Sequence, residues 1–211
     1  KLHNNSNNLY GFASELKCLE YYYNLNPVEN RLEQFEPGTY SVFSYIKTQW
    51  EQIVTNKVYY IPTFSYINYT SGQDTYNISH YLYSAVLKRC NTTERPVACL
   101  LSGGLDSSLV AALVSKWFKL KNNKLKLLET YSIGLQNSED IKYARIVADH
   151  IGSNHTEIIV TEREMFEAIP EVIKAIESYD TTTVRASIGN YLLGKYISTH
   201  SEAKVIFNGD G

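Results

Sequence analysis

Cysteine is scarce in this chain of 211 residues: Cys18, Cys90 and Cys99 are the only three. So few, so scattered, they exclude a disulfide framework and a zinc cluster, and a reducing, cytoplasmic setting fits. Cys99 sits in an apolar run and reads as a small core residue. Neither sign of charge is in excess, with 20 basic residues against 22 acidic ones and no long single-sign run. Nucleic acid and membrane surfaces are therefore not the default partners. No apolar run approaches the roughly 20 residues that a membrane helix needs. The opening KLHNNSNNLY lacks the apolar core of a signal peptide. There are no internal repeats, and NNSNN is the only low-complexity patch. The first residue is not Met and the last ones, VIFNGDG, stop just after an apparent strand, so the chain is expected to be an internal piece of a longer protein.

What is present is enough apolar material for a core, 44% of residues, which excludes a disordered chain. Asn-x-Ser/Thr triplets begin at Asn4, Asn68, Asn77, Asn91 and Asn154, and an asparagine-rich composition accounts for them without glycans. Residues 9–17 and 31–46 are short and β-rich, with Pro37-Gly38 as a tight turn. Many tyrosines and then the polar SGQD follow, reading as a linker over 66–74 between a first unit, 1–65, and a second, 75–211.

In the second unit the pattern alternates. Helices are expected at 75–89, 107–118, 140–151, 162–179 and 184–198, the fourth tolerating Pro170 or broken by it. Strands are expected at 97–101, 125–133, 157–160 and 204–207. Such alternation implies an α/β fold with a doubly wound parallel sheet, which binds ligands beyond the carboxyl ends of its strands.

One seam of this pattern is chemically distinctive. The strand ending near Leu101 runs into Ser-Gly-Gly-Leu-Asp-Ser-Ser, residues 102–108, and then a helix. Gly103 and Gly104 let backbone N–H groups approach a ligand. The helix N-terminus adds unpaired N–H groups and partial positive charge, and Ser102, Ser107 and Ser108 add hydroxyls, making a phosphate site. The Lys of a Walker A loop is missing, and the seam instead carries Asp106. A carboxylate beside phosphates suits Mg²⁺, although Asp is also a common helix N-cap. His150 and His155 have no Cys or acidic cluster at ligand spacing and read as structural. Glu15 reads as a fold residue.

The string SGGLDSS resembles the pyrophosphate-binding loop of the N-type ATP pyrophosphatases, which include the synthetases for GMP, NAD, argininosuccinate, asparagine and β-lactams. Further stretches resemble the glutamine-hydrolysing asparagine synthetases in order along the chain: YSIGLQNSEDIKYARIVADHIGSNHTE (131–157), ESYDTTTVRASIGNYLLGKYI (177–197) and KVIFNGDG (204–211). LYGFASELKCL (9–19) and FEPGTYSVF (35–43) resemble the end of that family's class II glutaminase domain. The resemblance implies an adenine nucleotide α-hydrolase-like sheet preceded by the β-rich end of a glutaminase domain. It implies ATP and Mg²⁺ as cofactors, with aspartate and glutamine or ammonia as the small-molecule substrates. Aspartate and ATP would form β-aspartyl-AMP and pyrophosphate, and glutamine-derived ammonia would then displace AMP.

Residue by residue, the resemblance puts Ser102, Gly103, Gly104 and Ser107 on phosphate and Asp106 on Mg²⁺. It puts Leu100 and Ile133 on adenosine, largely through backbone groups, while their side chains alone read as core aliphatics. Thr182, Thr183 and Arg185 would bind carboxylate or phosphate oxygens; read without the resemblance, they are a helix start with Arg185 on its surface. Asp180 is a cap or a shaper of the site. Asn208, Gly209 and Asp210 stand where the family has Ser-Gly-Glu, in which the serine and glycine touch ATP and the glutamate is a candidate proton acceptor for ammonia. Asp keeps the charge but is one methylene shorter. Rival readings are a β-lactam-synthetase-like relative, against which Thr-Thr-x-Arg-Ala-Ser argues, and a non-catalytic nucleotide-binding descendant, against which the intact loop argues. The segment alone is expected to be inactive, and any homo-oligomer would form through regions outside it.

Overall fold

The structure is a computed structural model that describes residues 1–4, 6, 8–61, 74–121 and 126–210. Most of the linker expected at 66–74, and Leu125 at the start of an expected strand, lie outside the described residues. The chain divides into two compact units, Lys1–Asn68 and Tyr69–Gly211.

The first unit holds strands β1 (Leu2–Asn4) and β2 (Leu9–Gly11), helix α1 (Lys17–Leu25), and strands β3 (Asn30–Leu32), β4 (Thr39–Ile46) and β5 (Gln49–Val58). β1 is the centre of an antiparallel sheet in the order β2-β1-β3, and β4 pairs with β5 as a two-stranded ribbon. Gly38 turns with φ of +69° before β4, as its place after Pro37 suggested. Helix α1 has no counterpart in the sequence reading. Its tyrosines favour strands, and only Leu19 is buried, so its apolar signal is weak.

The second unit runs α2 (Asp74–Thr92), β6 (Val97–Leu100), α3 (Leu105–Lys121), β7 (Glu129–Leu135), α4 (Glu139–Ile151), β8 (Asn154–Val160), α5 (Glu162–Ile176), α6 (Thr181–His200) and β9 (Val205–Phe207). Four strands form one parallel sheet in the order β8-β7-β6-β9. The expected α/β alternation and doubly wound sheet are present. Cys99, Leu101 and Leu128 pack one face against α2, α3 and α4, through Cys90, Val114, Ala144 and Ala148 among others. Ala98 and Tyr131 pack the opposite face against Leu193 and Ile197 of α6. Burial on both faces explains why β6 reads as a continuous apolar run.

Of the two alternatives at Pro170, tolerance holds: α5 runs through it. The loss of one hydrogen bond is offset by a capping box at Thr161 and Glu164 and by the buried Ala168 and Val172 against α6. Helix α6 starts at Thr181, not Val184, because the Asp180 side chain accepts the N–H of Thr183 at 2.8 Å.

The strand order also places the site. The chain leaves β6 towards β7 on one side, and returns through α6 to β9 on the other. A crevice therefore opens beyond the carboxyl ends of β6 and β9, where the order reverses.

Candidate active site

The turn after β6 is built by small residues. Gly103 has φ of +81°, and a Cβ there would lie 2.5 Å from Cβ of Tyr143 and 2.6 Å from the backbone N of Ala144 on α4. Only glycine allows both the dihedral and the approach. Within the turn Ser102 and Ser107 are locked together, their Oγ atoms 2.9 Å apart. The Ser102 N–H donates to Ser107 Oγ at 3.2 Å, and the Gly104 N–H donates to Ser102 Oγ at 3.3 Å. The Ser108 N–H reaches Gly104 O at 3.1 Å, so the amides of Leu105, Asp106 and Ser107 precede the first bonded turn of α3. Ser108 Oγ is buried without a hydrogen-bond partner among the described residues. Donors without acceptors at a helix N-terminus suit an anion with several oxygens.

The opposing wall is the exit from β9. A Cβ on Gly209 would lie 2.3 Å from the Ser107 N and 2.6 Å from its Cα, so this loop rests directly on the first turn of α3. Beside it Asp210 Oδ2 accepts from Asn190 Nδ2 at 3.2 Å and from Asn208 Nδ2 at 3.3 Å.

Between these walls lies a cavity of about 110 Å³. Leu100, Ser102, Ser107, Ile133, Asn208, Gly209 and Asp210 line it together, joining residues from three separate stretches of sequence. Gly103, Gly104 and Asp106 shape the turn without lining it, and Asp106 is exposed in the first turn of α3. Thr182, Thr183 and Arg185 are exposed at the start of α6 and do not line the cavity. The Thr183 hydroxyl donates to Asp180 Oδ1 at 2.8 Å. With the Thr183 N–H on the same oxygen, the Asp180 carboxyl is held below its usual range.

Six lining residues were missed: the apolar Leu101 and Leu193, and Tyr131, Ser132, Asp140 and Asn190. Asp140 had a local signal, an acid in the first turn of a helix that Ser138 caps just beyond a strand. Asn190 had none, because its part depends on how α6 packs.

Ser132 ends a half-buried chain of hydroxyls and imidazole. Ser153 Oγ donates to Ala148 O at 3.3 Å, so it accepts from Thr130 Oγ1 at 2.8 Å. Thr130 must then accept from His155 Nδ1 at 2.9 Å, which leaves Nε2 to accept from Ser132 Oγ at 3.1 Å. Burial pushes the His155 pKa down, in keeping with this neutral ring. The sequence reads His155 as a structural residue, and here both its ring nitrogens are taken up by hydroxyls of the sheet. Arg145 Nε donates to Glu157 Oε1 at 2.7 Å, and this bond holds the Glu157 carboxyl low.

Residues 77–211 match the family described as Asparagine synthase. The chain belongs to the asparagine synthase family. Among curated members, asparagine synthetase [glutamine-hydrolyzing] of Gallus gallus is 51% identical over 135 residues, 64% of this chain and 24% of that protein. The Homo sapiens protein of the same name is 48% identical over 131 residues, 62% of this chain and 23% of that one. The chain thus spans about a quarter of the length of these relatives. Among solved structures, the NH3-dependent NAD synthetase of Campylobacter jejuni is 18% identical with a TM-score of 0.43, covering 64% of this chain and 56% of that one. The NAD+ synthetase of Burkholderia pseudomallei is 13% identical with a TM-score of 0.45, covering 67% and 55%. Within the asparagine synthase match lie the serine-glycine turn, the β9 exit and every lining residue of the cavity.

Proposed function

We propose that this chain forms the ATP site of an asparagine synthetase, in which the aspartate side chain is adenylated and then aminated. The observation that carries the reading is the shared cavity: the Ser102–Ser107 turn at a helix N-terminus faces the Asn208–Asp210 exit across about 110 Å³ at the reversal of strand order. One wall suits phosphates, and the other supplies a carboxylate. The names of the curated relatives point to the same activity.

In this reading the free amides of the α3 first turn, with Ser102 and Ser107, hold the β- and γ-phosphates and stabilise the pyrophosphate as it leaves. Leu100 and Ile133, beside the cavity on neighbouring strands, receive the adenosine. An oxygen of the aspartate side chain bonds to the α-phosphorus, and the bond from that phosphorus to the bridging oxygen breaks. Ammonia nitrogen then bonds to the activated carbonyl carbon, the carbon–oxygen bond to phosphate breaks, and AMP leaves. Asp210 takes the proton that nitrogen loses.

The oxygen donors on this rim suit Mg²⁺, which is bound through one or two carboxylates plus substrate phosphates. Asp106 and Asp140 are the carboxylates that would hold it, and when bound it neutralises phosphate charge. Thr182, Thr183 and Arg185 lie outside the cavity and would meet carboxylate or phosphate oxygens of the bound substrates. Residues 1–65 are read as the end of a class II glutaminase domain that supplies ammonia from glutamine.

The test is aspartate-dependent release of AMP and pyrophosphate by the full-length protein, compared with its Asp106→Ala variant. Release that requires aspartate and falls at least about ten-fold in the variant is expected. Release without aspartate would overturn the reaction, and an unchanged variant would remove Asp106 from the Mg²⁺ site.

A further inference from the structure

Asp210 is held asymmetrically. Both amide donors that reach it, Asn190 Nδ2 at 3.2 Å and Asn208 Nδ2 at 3.3 Å, meet the same oxygen, Oδ2. Oδ1 accepts no hydrogen bond among the described residues. The two donors come from different elements: Asn208 from the β9 exit itself, and Asn190 from the middle of α6, 20 residues earlier in sequence. All three line the same cavity.

A carboxylate on a short side chain at a loop end has rotational freedom about χ1 and χ2. One donor from its own loop does not remove that freedom, because loop and acid move together. A donor from α6 does, since α6 is anchored to the sheet through Leu193 and Ile197. The lone pairs of Oδ2 are engaged, so proton acceptance is left to Oδ1. Asp is a methylene shorter than Glu, and a general base must come within about 3 Å of its proton. For the shorter acid, the orientation of the group decides whether it reaches.

We propose that Asn190 is a positioning residue for Asp210: it pins Oδ2 to α6 and presents Oδ1 as the proton acceptor for the incoming ammonia. This rests on the amination reading above. No proton leaves nitrogen in the first half-reaction, so the positioning role proposed for Asn190 is exercised only in the second.

The test uses the full-length protein and separates the two steps. Aspartate-dependent exchange of labelled pyrophosphate into ATP reads adenylation alone. Asparagine formation from ammonium chloride, plotted against free ammonia, reads both steps. In Asn190→Leu the ratio of amination to adenylation is expected to fall about ten-fold, the size of a misaligned base. Asn190→Gln, which keeps an amide donor, is expected to stay within about three-fold of the wild-type ratio, on the same reasoning.

Rescue by the conservative variant supplies the readout that packing alone would not move: Asn190→Leu keeps much of the volume and loses the donor, while Asn190→Gln keeps the donor and changes the volume. An unchanged ratio in Asn190→Leu, an equal fall in both steps, or as large a fall of the ratio in Asn190→Gln as in Asn190→Leu each overturns the proposal. Absence of aspartate-dependent exchange in the wild type overturns instead the reading on which it rests, so the two failures are distinguishable.

Discussion

Gly209 shows how narrowly a single residue is constrained here. It lies against backbone, not against a side chain that can swing aside, so Gly209→Ala must push the β9 exit off the first turn of α3. Overpacking of this kind typically costs about 1–3 kcal/mol, and here it also opens the cavity. A lower urea midpoint together with loss of pyrophosphate exchange is the expected result; a variant with both intact would show that the two walls do not need this contact. The cysteines divide just as sharply. Cys90 and Cys99 are fully buried, and burial pushes the Cys99 thiol far above its ordinary range, while Cys18 is exposed. Native protein treated with iodoacetamide should gain one adduct within this segment, on Cys18, as read by peptide mass. Modification of Cys99 without denaturant would contradict its fully buried place in β6. At this scale the glycines and serines of the turn were legible in sequence, because their function is local. Asn190 was not, since nothing adjacent to it in sequence concerns Asp210.

Among the elements, the helices that shape the site are set by their first turns. Ser138 caps α4 by accepting the N–H of Ile141 at 3.3 Å, and the same hydroxyl lies 2.7 Å from where a Cβ on Gly134 would fall. Ser138→Ala is expected to lower stability by about 1 kcal/mol, measured from urea unfolding, and to loosen Asp140 two residues on. A change within error would mean that α4 is held by its buried face alone. For α6, the cap at Asp180 recruits the Thr183 hydroxyl, so this threonine serves the helix start, while the side chains of Thr182 and Arg185 are exposed beside it. The sequence pattern found every helix of the second unit but misjudged the start of α6, which a cap defines. At Pro170 it left tolerance and a break open, and tertiary burial of Val172 with Val184 in one cluster decides for tolerance. Helix α1 escaped notice for the converse reason, since it buries too little to leave a pattern.

Over the whole molecule, the half-buried relay from Ser153 to Ser132 ties the sheet to pH. His155 has its pKa lowered by burial, so the unfolded chain binds a proton that the folded one resists. Stability contributed by the neutral ring is present above the ordinary histidine value of 6.5 and declines as pH falls below it. Urea midpoints measured between pH 7.5 and about 5.5 should therefore fall more for the wild type than for His155→Gln, which keeps polar contacts without titrating. Parallel curves would show that the relay accommodates the charged ring.

Sequence alone determined the α/β alternation, the serine-glycine turn and the family, because each is written in contiguous residues whose periodicity and dihedral demands act locally. It also supplied the acid at the β9 exit. Which of these residues share a cavity was decided only by the tertiary structure. The reversal of strand order brings the β6 and β9 exits together, and α6 packs Asn190 over them. That juxtaposition gathers Ser102, Ser107 and Asp210 while leaving Thr182, Thr183 and Arg185 outside, and it adds Asp140 and Asn190. Long-range packing fixes it, and a linear pattern carries no record of which loops the sheet will set side by side.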